Sequence, residues 1–123
     1  MQFLATLPAS DLDRAKAWYA SVLKLEPVEV ETSGDAWYET GGTRFQLYAS
    51  QFAGTNQATA ATIGVEDVDA TVAELRARGA RFEDYDFGED FRTVEGIFTT
   101  PEGRKIAWLK DSEGNILALG QTA

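Results

Sequence analysis

Residues 6–13 read TLPASDLD, and residues 62–69 read TIGVEDVD. Thr6 and Thr62, Asp11 and Asp67, and Asp13 and Asp69 each stand 56 residues apart. In both copies a short apolar run leads into an aspartate, and an amphipathic pattern follows. An aspartate at a helix N-cap accepts a hydrogen bond from an otherwise unpaired backbone N–H. A second acid two residues on favours the positive end of the helix dipole. One strand-to-helix unit is therefore written twice, at about half the chain length.

The first copy extends in both directions. Residues 2–8 predict a strand that ends at Pro8. Ser10 or Asp11 caps a helix whose apolar face is Leu12, Ala15, Trp18, Tyr19 and Val22, with Pro27 as its stop. Residues 28–32, VEVET, alternate like a half-buried strand. Residues 35–50, DAWYETGGTRFQLYAS, read as a hairpin turning at Gly41-Gly42, where a tight turn needs positive φ. Residues 51–58 are small and polar and link the halves.

The second copy repeats the order. A strand over 59–65 precedes a helix over 67–78 with the face Val68, Thr71, Val72 and Leu75, and Gly79 follows as its terminator. A strand over 81–86, a loop over 87–103 and a hairpin over 104–121 turning at 111–115 complete it. The expected fold is α+β: one domain of two βαβββ modules, 1–52 and 58–121.

Composition narrows the function. The chain has 123 residues, 44% hydrophobic and 25% charged, enough for a real core. Acids outnumber bases 20 to 11, a net charge of −9, which argues against nucleic acid and suits a cationic ligand. There is no cysteine and no histidine. Disulfides, thiolate chemistry and two-His-one-carboxylate iron sites are thereby excluded, and only oxygen ligands remain for a metal. No run approaches a membrane span, and the first residues read as a strand, so a cytoplasmic protein is expected. Glu31, Asp35 and Glu39 read as solvated strand-edge charge.

The chain resembles the vicinal oxygen chelate superfamily of glyoxalases, bleomycin-resistance proteins and dioxygenases. The resemblance rests on the doubled βαβββ pattern and on residues 7–28 (LPASDLDRAKAWYASVLKLEPV), 65–82 (VEDVDATVAELRARGARF) and 108–121 (WLKDSEGNILALGQ). In the last, Ser112 replaces the family's usual proline. The resemblance implies two modules curled into an incomplete barrel around a cleft, commonly in a homodimer. It also implies four cleft-facing positions at which metal-dependent members hold their ion. Carried over, these are Leu4, Gln46, Ala60 and Ala118, of which three lack a donor atom and one is a neutral amide. No metal and no cofactor are expected.

Strand parity extends that cleft lining. If Leu4 and Ala60 face the cleft, so do Thr6 and Thr62. Counting outward from Gly41-Gly42 pairs Trp37 with Gln46, and counting from Lys110 opposite Ile116 pairs Trp108 with Ala118. Both tryptophans are expected to flank one ligand cavity, with Gln46 as its main hydrogen-bonding group and Tyr48 nearby; Trp18 reads as core. The loop over 87–103 carries Phe87, Phe91, Ile97 and Phe98. It reads either as a lid or as a loop folded over its own aromatics.

Three readings of function stay open. The first is a metal-free protein that binds a small molecule, with the bleomycin-resistance branch implying sequestration of a cationic or aromatic natural product. The second is a metal-independent enzyme doing acid–base chemistry, with Tyr48 and Arg44 as its first candidates. The third is a structural or regulatory dimer with a vestigial cleft.

Overall fold

The computed structural model describes residues 1–121. Two compact units divide the described chain: Met1–Gln57 with Asp111–Asn115, and Ala58–Lys110 with residues 116–121. Each holds a four-stranded mixed sheet and one helix.

In the first unit β1 (Ala5–Ala9), α1 (Leu12–Ser21), β2 (Glu29–Val30), β3 (Ala36–Thr40) and β4 (Thr43–Ala49) build a sheet of order β1-β4-β3-β2. The β1–β4 pair is parallel and the others antiparallel. Asp11 caps α1 as expected: its backbone is extended and its carboxylate accepts the Arg14 N–H at 3.0 Å. Leu7 and Ala9 of β1, Ala36 and Tyr38 of β3 and Leu47 of β4 are buried with Ala15, Tyr19 and Val22. Tyr38 stacks on Phe45 at 4.8 Å, and Tyr19 lies 5.8 Å from Tyr38. The Tyr38 hydroxyl is buried without a partner, and burial, then Glu26, pushes its pKa up to about 12. Gly41 and Gly42 have φ +59° and +79°, as a two-residue hairpin turn requires.

In the second unit β5 (Thr59–Val65), α2 (Val68–Ala77), β6 (Ile97–Thr99), β7 (Lys105–Lys110) and β8 (Ile116–Gln121) form the order β5-β8-β7-β6. Again the first pair is parallel. Asp67 caps α2 by accepting the Ala70 N–H at 3.0 Å. Val68, Val72 and Leu75 of α2 are buried with Ala107, Leu109, Leu117 and Leu119.

Four expectations change. Residues 81–86 form no strand: Phe82 makes an isolated bridge to Leu109, and the Glu83 N–H donates to the Trp108 carbonyl at 2.8 Å. The chain then leaves the edge of β7 and returns to it only as β6, inside the stretch expected to be loop. The outer strand is thus split around an excursion over 84–96. Second, α1 ends well before Pro27. Lys24 adopts φ +59°, the left-handed conformation that Gly79 (φ +96°) supplies after α2, and the chain turns there. Third, β2 is a two-residue edge strand with Val28 and Val30 both 54% exposed, not half-buried. Fourth, Trp18 is half-buried at the margin of the core, edge-on to Tyr19 at 5.1 Å. Among the described residues no helix is long and apolar enough to cross a membrane.

Candidate functional site: two matched strand rows

Each sheet has one face against its helix and one turned away from it; that second face is open in the first sheet, whereas in the second sheet Ile116 and Ala118 on it are only 7% and 4% exposed. The register of the first sheet places Thr6 beside Gln46 and Gln46 beside Trp37, in one row across β1, β4 and β3. Their neighbours Leu7, Leu47 and Tyr38 are buried with α1, so this row lies on the open face. The second sheet repeats the arrangement. Thr62 pairs with Ala118 and Ala118 with Trp108, across β5, β8 and β7. Even the outer contact is matched: the Val28 N–H donates to the Trp37 carbonyl at 2.8 Å, as Glu83 does to Trp108. Both hairpin registers agree with the counts made from their turns, because a short turn fixes the pairing of everything beyond it.

The remaining expected residues lie around these rows. Tyr48 is exposed on β4 beside Pro8. Ala60 is exposed where β5 slips register between Thr59 and Ala61. Leu4 precedes β1 and borders a half-open cavity of about 530 Å³ at the β3–β4 turn, together with Gln2, Glu39, Thr43 and Arg44. That cavity has mostly polar walls and contains neither Trp37 nor Gln46.

The surroundings of the two tryptophans differ. In the first unit the Arg44 guanidinium lies over the Trp37 ring, its Cζ 5.0 Å from the centroid. Arg44 is held there by Glu29 at 3.1 Å and Glu39 at 3.6 Å. The cation–π position on Trp37 is therefore filled by the protein itself. Asp35 accepts the Ala49 N–H at 3.3 Å, so Glu39 and Asp35 serve separate structural contacts. In the second unit the excursion folds its own aromatics together. Tyr85 meets Trp108 edge-on at 5.5 Å, Phe91 lies 5.7 Å from Trp108, and Phe91 stacks on Phe98 at 4.6 Å. Burial, then Glu83, raises the Tyr85 pKa. Asp84 pins the base of the excursion by accepting from the Thr93 hydroxyl at 2.9 Å and the Gly96 N–H at 2.8 Å.

The residues do not fit a metal. Leu4, Ala60 and Ala118 have no donor atom, and Gln46 alone is a weak neutral ligand. Among the described residues no group of three or more His, Cys, Asp or Glu is placed to hold an ion.

Residues 3–119 match the model of the Glyoxalase/Bleomycin resistance protein/Dioxygenase superfamily, and the chain belongs to that family. Solved structures share its fold over the whole length. A glyoxalase/bleomycin resistance protein from Catenulispora acidiphila is 24% identical, with 100% of this chain and 99% of that one covered at a TM-score of 0.71. A lactoylglutathione lyase from Agrobacterium tumefaciens is 20% identical, with 98% and 92% covered at 0.73. A bleomycin-binding protein complexed with bleomycin is 18% identical, with 100% and 99% covered at 0.73. No curated protein sequence matches the chain.

Proposed function

We propose that this protein binds a small, flat organic molecule without a metal, using the tryptophan-bearing faces of its sheets that turn away from the helices. One observation carries the reading. The rows Thr6–Gln46–Trp37 and Thr62–Ala118–Trp108 set a large ring beside positions that, in this family, would otherwise be suited to ligation. Here those positions are small, apolar or neutral. Aromatic surface with few polar groups is what a small-molecule site is made of. Support comes from the family itself and from the similar fold of a protein that binds bleomycin. Sequestration, rather than turnover, is the activity this chemistry serves. The Arg44 guanidinium over Trp37 favours an aromatic ligand over a cationic one at that ring.

The test is titration of aromatic natural products against tryptophan fluorescence, with Trp37→Ala and Trp108→Ala beside the parent chain. A stacked ring is worth roughly 0.5–1.5 kcal/mol beyond area burial, about two- to tenfold in affinity. Each variant is expected to weaken binding by that factor while keeping its far-UV circular dichroism. Binding unchanged in both variants, or ligand converted to product without added metal, would overturn the reading.

A further inference from the structure

The arginines of this acidic chain are mostly spoken for. Arg14, Arg44, Arg78 and Arg92 each hold a carboxylate, and Arg76 lies over Phe82 and donates to the Glu95 carbonyl. Arg104 has no carboxylate partner among the described residues. It immediately precedes β7, in phase with Ile106 and Trp108, and so belongs to the face of the second sheet turned away from α2.

The residue is exposed, yet its guanidinium lies back along the sheet. It lies against Gly120, near the end of β8: a Cβ at that glycine would meet Arg104 Nη2 at 3.3 Å and Thr62 Cγ2 at 3.7 Å. Gly120 pairs with Gly64 on one side and Ile106 on the other. Two glycines facing each other across strand interiors weaken a sheet, and such positions commonly mark close approach of another group. Here the missing side chain lets the Arg104 guanidinium and the Thr62 methyl group come close to the backbone. Ala118 and Trp108 lie one step along the same face, two residues from Gly120 and about 7 Å away.

We infer that the face of the second sheet turned away from α2 binds an aromatic carboxylate, with the Arg104 guanidinium taking the acid group, the Thr62 methyl lining its approach and Trp108 taking the ring. The inference rests on the small-molecule reading above and narrows its ligand class. It also reverses the sign suggested by net charge: a charge of −9 describes the whole chain, whereas a ligand meets the guanidinium at the site. An unpaired arginine offers a planar fork that matches a carboxylate with two parallel hydrogen bonds.

The probes are naphthoate and its neutral analogue naphthamide, titrated by calorimetry into the full chain and into Arg104→Gln, Arg104→Lys and Gly120→Ala. The Arg104 Nε–H resonance reports contact directly. Naphthoate is expected to bind the parent chain about tenfold tighter than naphthamide, with a saturable shift of that resonance. Arg104→Gln should abolish the preference, and Arg104→Lys should keep part of it. Gly120→Ala should weaken naphthoate by displacing the guanidinium. Equal affinity for the two probes, or a preference that survives Arg104→Gln, would overturn the inference and leave small-molecule binding intact. Absence of binding by both probes would also overturn it. The broader reading then stands or falls on the tryptophan titration.

Discussion

The carboxylate of Glu113 is completely buried, yet it is held ionised. Burial works to raise its pKa. The Arg14 guanidinium, the Asp11 N–H and the Ser112 hydroxyl outweigh that and hold it at about 2. Arg14 grips it with Nε at 2.8 Å and Nη2 at 3.0 Å, while the Asp11 N–H donates at 3.0 Å. Next to it Asp111 accepts from the Tyr19 hydroxyl at 2.7 Å and from the backbone N–H groups of Glu113 and Asn115, both at 2.9 Å. Burial, then Asp111, raises the Tyr19 pKa well above its usual value. The Asn115 side chain donates to the Pro8 carbonyl at 2.8 Å. Glu113 binds its proton less readily folded than unfolded. Its contribution is therefore complete above about pH 4.5 and is lost as the pH falls towards about 2. With Arg14 half-exposed and screened, that contribution is about 1–2 kcal/mol. Urea denaturation should show the parent losing this much stability between pH 5 and pH 2.5, about, and Glu113→Gln lacking that part of the slope. An identical pH dependence in the variant would contradict the assignment.

Elements repeat more faithfully than the sequence does. The caps Asp11 and Asp67 share their geometry, with φ −137° and −135°. The helix exits do not share their residue. Gly79 takes the left-handed position after α2 without strain, whereas Lys24 takes it after α1 with a Cβ. Lys24→Gly is accordingly expected to stabilise the chain by about 1 kcal/mol, and Asp67→Ala to cost about 1 kcal/mol. Both are read from denaturation midpoints at neutral pH. Destabilisation by Lys24→Gly would show that other contacts of the lysine outweigh the backbone strain. Caps and turns were readable because each depends on a few adjacent residues. The split outer strand was not. Residues 82–83 and β6 both use one edge of β7, and only the finished sheet shows that the chain leaves that edge and returns to it.

At the scale of the molecule, β2 leaves an open strand edge with Val28 and Val30 exposed. In the same unit Phe3 is 93% exposed and Phe52 67%. Open edges and apolar surface of this kind are ordinarily covered. A homodimer at micromolar concentration is the expected result of light scattering. Val28→Lys with Val30→Lys should shift it to monomer without unfolding it, because both side chains are already in solvent. A parent chain that is monomeric in the same measurement would refute this.

The sequence by itself determined the doubled strand–helix unit, both aspartate caps, both hairpin registers and the opposition of Trp37 to Gln46 and Trp108 to Ala118. These follow from local rules: a period of two in strands, a cap at each helix start, and a turn that fixes what pairs beyond it. It also ruled out histidine and cysteine chemistry outright. Only the tertiary structure decided that Arg44 covers Trp37 and that Arg104 lies on Gly120. It alone also decided that Tyr85 and Phe91 gather at Trp108, and that Asp111–Asn115 packs with the first unit. The glycine at 120 was a visible signal, but its meaning depends on which side chain reaches it. Long side chains choose among many rotamers, and residues far apart in the chain meet only after the sheets form. Those contacts set the charge and shape that a ligand would meet.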